Sequence, residues 1–267
     1  AMRGWQDMAQ AELDDVYANA PYIPEAETYP TRWAAEAAAF RATARHRTLD
    51  YGPGPADRLD LFLPAGAPTG LIVFIHGGYW RRFGRSDWSH LAAGGLAAGH
   101  AVALPGYPLV PAVRIHDITA RMGRAVETAA RHVPGPIRLT GHSAGGQLCA
   151  RLVMADAAPA VADRIATCVP ISPVADLRPL VPQSFNAEWR LDAAEAPAES
   201  PALGRPIPGP RIAVHVGADE RPSFLWQAQA LADAWDAPLR RAAVRHHFDV
   251  IDALRDPASP LMADLLA

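Results

Sequence analysis

The sequence predicts an α/β protein built on one open, mainly parallel sheet with helices on both faces. Short apolar, β-branched segments alternate along the chain with longer amphipathic segments, which is the pattern of consecutive strand–helix units. The apolar segments are continuous rather than alternating, which is typical of strands buried on both faces of a sheet. With 267 residues, of which 50% are hydrophobic, the chain can bury a core of this kind.

Seven segments are predicted as strands. Five of them have the continuous apolar character and fall, in order, at 71–78, 101–107, 136–142, 165–172 and 211–217. Upstream, the segments RTLDYG and DRLDLFLP (58–64) predict two antiparallel strands that lead into the sheet. Ligands of such sheets bind beyond the carboxyl ends of the parallel strands, so the functional site is expected there.

The segments between the strands predict four helices, at 87–98, 115–132, 144–155 and 224–236. In the second of them, Ile115, Ile118 and Met122 recur at steps of three and four residues, which gives the helix one apolar face. Asp87 and Asp117 lie early in the first two helices, where a carboxylate stabilises a helix N-terminus.

Two segments interrupt the alternation. Residues 1–43 hold a stretch punctuated by prolines and then the alanine-rich TRWAAEAAAFRA, and residues 176–209 are rich in proline. Both are predicted to fold over the carboxyl edge of the sheet as a small cap, with ordinary surface loops as the alternative. We therefore expect a single domain over residues 1–267, with 1–43 as a cap-like N-terminal segment and 176–209 as a cap insertion.

Composition excludes several classes of function. A formal net charge of −3 gives no reason to expect a nucleic-acid partner or an anionic membrane surface. All 25 basic residues are arginine, which excludes a Schiff-base lysine, a pyridoxal phosphate anchor and a P-loop lysine. No apolar run approaches the ~18 residues of a membrane span. No set of residues has a recognised metal-ligand spacing, so neither a metal nor a cofactor is expected.

The two cysteines predict a reducing environment. Cys149 and Cys168 lie in apolar surroundings without a C-x-x-C spacing, so we expect two buried free thiols. The polar and acidic residues at the start of the sequence are unlike a signal peptide. These features together predict a cytoplasmic protein.

The segment Gly141-His142-Ser143-Ala144-Gly145 stands between a predicted strand and a predicted helix. This is the context of a G-x-S-x-G nucleophile elbow, in which the serine occupies a sharp, strained turn. Side chains two residues before and after the serine would collide, so glycine suits both places. The helix that follows offers free N–H groups and the positive end of its dipole beside Ser143. A glycine-rich turn without chemistry is the alternative.

A second glycine segment, IHGGYW (75–80), directly follows a buried strand. Such glycines let the backbone direct N–H groups at a reaction centre and form an oxyanion hole. The expected donors are Gly78, Tyr79 and Ala144, while Gly77 either shares this task or only shapes the turn. A tight turn that closes the strand is the alternative.

A base and an acid are expected after the serine, in the chain order serine, carboxylate, histidine. His215 lies in a predicted strand and is expected to be structural, so the general base is His246 or His247 in RHHFDVI. The loop after the strand at 211–217 offers two adjacent carboxylates, Asp219 and Glu220, between which spacing does not choose. Asp176 is a weaker third candidate for the acid.

From about residue 45 to its end, the chain resembles the α/β-hydrolase superfamily and, within it, the arylformamidase (kynurenine formamidase-like) branch of serine esterases and carboxylesterases. The segments that carry the resemblance are HGGYW (76–80), GHSAGG (141–146), PIS…DL (170–177), ERPSF (220–224) and HHFDVI (246–251). In that family the acid stands two residues before a proline and four before a phenylalanine, which implies Glu220, and the base directly precedes Phe-Asp, which implies His247. Animal formamidases usually carry aspartate at the acid position, and the glutamate here resembles bacterial relatives.

The resemblance implies a cofactor-free serine hydrolase that cleaves small carboxylic esters or aryl formamides through an acyl-enzyme, with Ser143, His247 and Glu220 as its triad. The alternatives are an esterase or thioesterase without formamidase activity, and a non-catalytic ligand-binding protein of the same fold. Trp80, Phe185 and Trp189 are candidates for an aromatic substrate pocket, with packing inside the cap as the alternative. The expected partner is a small-molecule ester or amide. The sequence does not decide whether the protein forms a homodimer.

Overall fold

The computed structural model describes residues 4–267, in which a central nine-stranded sheet carries helices on both faces. The strands are β1 (His46–Asp50), β2 (Arg58–Phe62), β3 (Leu71–Ile75), β4 (Ala101–Pro105), β5 (Ile137–His142), β6 (Ile165–Ile171), β7 (Arg211–Ile212), β8 (Val214–Gly217) and β9 (Leu239–Ala242). Their order in space is β1-β2-β4-β3-β5-β6-β8-β9, and β7 pairs with β6. The pairs β1–β2 and β2–β4 are antiparallel and the others are parallel, which confirms the predicted fold class.

The α-helices of the described residues are α1 (Gln10–Val16), α2 (Tyr29–Thr43), α3 (Ala93–Ala97), α4 (Ile115–Ala130), α5 (Ala144–Arg151), α6 (Asn186–Trp189), α7 (Glu195–Ala198), α8 (Pro222–Ala234) and α9 (Pro260–Leu265). Several 3-10 turns supplement them, among them Ala20–Tyr22 in the N-terminal segment and Val250–Arg255 before α9. None of these helices is long and apolar enough to cross a membrane.

Strand β3 shows why the sheet is buried on both faces. Leu71, Val73 and Ile75 belong to the apolar cluster that includes residues of α4, α5 and α8. Ile72 and Phe74 belong to a second cluster, which includes residues of α2 and α9. Successive side chains of a strand point to opposite faces, so the continuous apolar run supplies both clusters at once.

The prediction of a helix at 87–98 is wrong for the first half of that range. Two 3-10 turns, Arg85–Asp87 and Ser89–Ala92, precede the short α3. Gly94 and Gly95 lie in α3, where glycine is unfavourable for a helix by about 1 kcal/mol relative to alanine. They allow close packing instead, because a Cβ on Gly94 would lie 2.3 Å from the carbonyl oxygen of Leu254.

The boundaries of the other helices and strands differ less from the predicted ones. Helix α5 ends at Arg151, four residues before the predicted end, and α8 begins at Pro222, where a proline in the first turn is well tolerated. The predicted strand at 211–217 is divided into β7 and β8 at Ala213. Cys149 and Cys168 are buried free thiols, as expected.

The N-terminal and 176–209 segments both reach the carboxyl edge of the parallel strands. Residues of the first between Asp14 and Trp33, and of the second between Gln183 and Trp189, line the same cavity as Ser143 at that edge. The first segment holds α1 and α2, and the second holds only short helical turns. Residues 1–3 of the predicted cap-like segment lie outside the described residues.

Candidate active site

Ser143 stands on the bend between β5 and α5, as the N-cap residue of the helix. Its backbone has φ 57° and ψ −114°, a region that costs a non-glycine residue about 1–3 kcal/mol. The neighbouring backbone holds it there: its N–H donates to the carbonyl oxygen of Ile171 at 2.9 Å, and its carbonyl oxygen accepts from the N–H of Gln147 at 3.1 Å. The bend is therefore strained and held from both sides.

The two glycines that flank the bend are required by close backbone approach. A Cβ on Gly141 would lie 2.1 Å from the carbonyl oxygen of Gly145, and a Cβ on Gly145 would lie 1.9 Å from that of Ile75. Both distances are far below van der Waals contact. The first turn of α5 thus lies directly against the carboxyl end of β3.

The loop after β3 presents backbone N–H groups beside the serine. A Cβ on Gly77 would lie 3.1 Å from Ser143 Cβ, so this loop and the bend are in contact. Gly78 and Tyr79 have positive φ values of 114° and 51°. The carbonyl oxygen of Tyr79 accepts from the Trp189 indole at 2.9 Å. Within residues 4–267, no acceptor receives the N–H groups of Gly78, Tyr79 or Ala144.

Glu220 and His247 form a buried hydrogen-bonded pair. The distance between His247 Nδ1 and Glu220 Oε2 is 2.7 Å, and both residues are almost fully buried. A carboxylate can only accept, so Nδ1 is the nitrogen that carries a proton in this hydrogen bond, and in the neutral imidazole the lone pair is on Nε2. The other oxygen, Glu220 Oε1, accepts from the N–H of Gly217 at 2.9 Å and from the hydroxyl of Ser172. The carboxylate is fixed by three donors.

The other two candidates for the acid, Asp219 and Asp176, lie outside the Glu220–His247 pair. Asp219 is exposed, and its N–H donates to the carbonyl oxygen of Arg245 at 2.9 Å. Asp176 is buried but paired with Arg178 at 2.8 Å. Of the two adjacent carboxylates that the spacing left open, the structure pairs only Glu220 with the histidine.

The other histidines are engaged differently. His246 Nε2 is 3.1 Å from the Tyr29 hydroxyl, outside the pair. His215 lies in β8, and its Nε2 is 2.7 Å from Asp264 Oδ2, which is the structural position expected for it. His142, directly before the serine, packs against His247 with 4.6 Å between ring centroids. Burial holds the pKa of His142 well below its usual range, so its imidazole is neutral at pH 7.

A cavity of about 710 Å³ joins these groups. Ser143, His247, Gly77, Gly78 and Tyr79 all line it. Its aromatic lining includes Tyr17, Trp33, Phe83, Phe185, Trp189 and Phe248. Volumes of 300–1,000 Å³ with mainly apolar walls are usual for small-molecule sites.

Trp80 is the predicted pocket residue that the structure excludes. It is fully buried and does not line the cavity, whereas Phe185 and Trp189 do. Its indole N–H donates to Gln147 Oε1 at 3.0 Å, beneath Trp189. Trp80 has a positive φ of 60° and belongs to the buried apolar cluster that includes residues of α4 and α5.

Sequence reasoning missed three polar residues around the site. Ser172 binds the carboxylate, His142 packs on the imidazole, and Asn19 lines the cavity from the N-terminal segment. Ser172 and His142 stood inside quoted motifs and could have been singled out as residues that follow or end a parallel strand. Asn19 had no such signal. No group of three or more potential metal ligands occurs among residues 4–267.

The sheet order, the strained serine bend and the loop of free N–H groups define an α/β-hydrolase architecture. The comparison with family models agrees: the chain belongs to the alpha/beta hydrolase family, whose model matches residues 72–266.

Relatives within this architecture differ in their described activities. A solved structure of a Silicibacter protein, proposed to be a thioesterase, is 50% identical, with a TM-score of 0.93 over 96% of this chain and 99% of that one. The kynurenine formamidase of Danio rerio is 24% identical over 96% of this chain and 94% of its own. An esterase of Pyrobaculum calidifontis is 18% identical, with a TM-score of 0.67 over 89% of this chain and 94% of its own, a likeness of fold.

The close approach of α5 to β3 gives a test by substitution. We expect Gly145→Ala to lower the free energy of unfolding by about 3 kcal/mol, the upper part of the range for overpacking, because its methyl group must displace the backbone of Ile75. Urea unfolding followed by circular dichroism measures the change. The matched control is Gly66→Ala, where no atom lies within 4 Å of the new Cβ, and which should change stability by less than about 0.5 kcal/mol. Equal stabilities of the two variants would contradict the packing described.

Proposed function

We propose that this protein is a serine hydrolase that cleaves small carboxylic esters or aryl formamides through an acyl-enzyme. The single observation that carries the proposal is the Glu220–His247 pair, whose imidazole lines the same cavity as the strained Ser143. The pair leaves the proton acceptor of His247 on Nε2, the nitrogen that a general base needs free.

In the acylation step, Ser143 Oγ attacks the carbonyl carbon of the substrate while His247 takes the hydroxyl proton. His247 then gives this proton to the alcohol or amine that leaves. Glu220 holds the imidazole in the Nδ1–H tautomer and stabilises its cation without itself becoming protonated. Proton transfer by a positioned group of this kind contributes typically about 10²–10⁴-fold to the rate.

The oxyanion of the tetrahedral intermediate is received by the N–H groups of Gly78, Tyr79 and Ala144. All three lack acceptors within the described residues, and Ala144 adds the positive end of α5. A donor of this kind contributes about 2.7–4 kcal/mol to transition-state stabilisation in a serine protease. Gly77 allows the loop to lie close to the bend, because a Cβ at this position would come within 3.1 Å of Ser143 Cβ.

The cavity favours a substrate with an aromatic or bulky apolar part. Phe185 and Trp189 supply apolar walls, and the Arg81 guanidinium lies 4.3 Å from the ring centroid of Phe185 while it pairs with Glu188. Similarity to a kynurenine formamidase over nearly the whole chain supports aryl formamides among such substrates.

The second candidate is a thioesterase, or an esterase without formamidase activity. The 50% identity with the Silicibacter protein proposed to be a thioesterase favours it. The proposed machinery is the same for esters, thioesters and formamides, so the shape of the cavity and the leaving group decide between these substrates.

Covalent labelling tests the nucleophile. We expect a fluorophosphonate to add one phosphonyl group to Ser143, because His247 takes its proton and the oxyanion hole receives the phosphonyl oxygen. Peptide mass spectrometry locates the adduct, and Ser143→Ala should carry none. A non-catalytic binding protein is the correct description if Ser143 stays unlabelled while small ligands still bind.

A pair of isosteric substitutions tests the acid. Glu220→Gln should lower kcat by about 10⁴-fold, the effect of the equivalent aspartate-to-asparagine change in a serine protease, because an amide does not hold the Nδ1–H tautomer. Asp219→Asn should change kcat less than about threefold, since its side chain is exposed and outside the pair. Steady-state hydrolysis of p-nitrophenyl butanoate measures both. The assignment is wrong if only the Asp219 change has the large effect.

Parallel rates on three substrates identify the class of bond that is cleaved. A formamidase should hydrolyse N-formylkynurenine with a kcat/KM that exceeds those for phenyl acetate and an acyl thioester by orders of magnitude. A higher kcat/KM for the thioester, or for phenyl acetate with no cleavage of the formamide, would instead establish the second candidate.

A further inference from the structure

Asn19 brings a buried acceptor to the site from outside the hydrolase core. It directly precedes the 3-10 turn Ala20–Tyr22, and its backbone carbonyl accepts the N–H of Tyr22 at 2.9 Å. The residue is 8% exposed, and its side-chain oxygen Oδ1 has no hydrogen-bond partner within residues 4–267. A buried acceptor left unsatisfied costs about 1–3 kcal/mol, so this oxygen is expected to bind something that the protein does not supply.

Two cavities meet at this residue. The first is the aromatic cavity of about 710 Å³ that holds Ser143. The second, of about 250 Å³, is lined by both members of the Glu220–His247 pair and otherwise largely by polar side chains, among them Tyr22, Asp219, Arg221 and His246. Among the described residues, only Asn19 and His247 line both.

The occupant that suits Asn19 is water. A polar cavity with room and several polar partners is the kind that holds water in proteins, and 250 Å³ is ample for it. Because His247 lines the polar cavity as well as the aromatic one, the polar cavity provides a path by which water reaches His247 while an acyl group is attached to Ser143.

We propose that Asn19 orients the water that hydrolyses the acyl-enzyme. This inference rests on the acyl-enzyme proposed above. Asn19 Oδ1 accepts one O–H of the water, and His247 Nε2 removes the proton of the other. The water oxygen bonds to the acyl carbon, the bond from that carbon to Ser143 Oγ breaks as the tetrahedral intermediate collapses, and His247 returns the proton to Oγ. The products are the carboxylic acid and the free serine.

The role assigned to Asn19 belongs to deacylation alone. In acylation the serine hydroxyl is the nucleophile and needs no water. A residue that only supported the fold would affect both steps. Comparing the losses in the acylation and deacylation rates therefore distinguishes a residue that orients water from one that supports the structure.

The test uses Asn19→Leu, which keeps the size of the side chain and removes the acceptor. With p-nitrophenyl butanoate in a stopped-flow instrument, we expect the rate of p-nitrophenol release in the first turnover to stay within threefold of the unsubstituted protein. Deacylation should fall by 10- to 100-fold. Rapid acid quench and intact-protein mass spectrometry should then show butanoyl-Ser143 accumulating at steady state. Asn19→Asp, which keeps an acceptor oxygen in place, should restore deacylation to within about threefold.

The outcomes separate the two proposals. Equal losses in both steps, or no accumulation of butanoyl-Ser143 in Asn19→Leu, would overturn the role of Asn19 and leave the serine mechanism standing. Failure of the mechanism itself has a different signature, because the unsubstituted protein would then give no phosphonyl adduct on Ser143.

Discussion

The site depends on one constraint, the backbone contact between the first turn of α5 and the carboxyl end of β3. Gly141 and Gly145 permit this contact, and no larger residue fits at either position. Because the chain must turn sharply between β5 and α5, Ser143 takes the strained conformation that exposes its side chain to the cavity. The same contact brings the N-terminus of α5 beside the loop after β3, so the positions of Ser143 and of the N–H groups of Gly78, Tyr79 and Ala144 are set by a single packing arrangement.

The 176–209 segment reinforces this arrangement through buried polar contacts with α5. Gln147 accepts the indole N–H of Trp80 and donates to the carbonyl oxygen of Glu199 at 2.9 Å. Arg151, also on α5, pairs with Glu199 at 3.0 Å where both side chains are buried. Arg151 also pairs with Asp156 at 2.7 Å, so the buried guanidinium joins the 176–209 segment to the residues that follow α5. Thus the segment does more than line the cavity, since it fixes the helix behind the serine and the loop that holds Trp80.

The sequence was sufficient for features that follow from local physics. The parallel strands were predicted because Leu71–Ile75 and its counterparts are apolar without alternation, and the serine bend because glycines flank Ser143 between a strand and a helix. The pocket prediction that failed concerns a side chain whose direction depends on packing between residues far apart in the sequence. Trp80 belongs to the right motif, but its direction depends on Gln147, 67 residues away. Spacing alone leaves Asp219 and Glu220 equivalent, so the sequence implied Glu220 only through the family resemblance, and the fold of the β8–α8 loop turns Glu220 inward and Asp219 out.

The N-terminal segment carries no motif that predicts its place, because its role arises only when it packs on elements far away in the sequence. The Tyr79 hydroxyl donates to the carbonyl oxygen of Tyr17 at 2.6 Å, and the Tyr17 hydroxyl accepts from Gln227 of α8 at 2.9 Å. The segment is therefore bound both to the loop after β3 and to α8, the helix that follows Glu220. Burial raises the pKa of the Tyr79 hydroxyl, which keeps it a neutral donor in this contact. The same segment carries Asn19, which lines the two cavities that His247 also lines, so its place is set by the elements that position Ser143 and the Glu220–His247 pair.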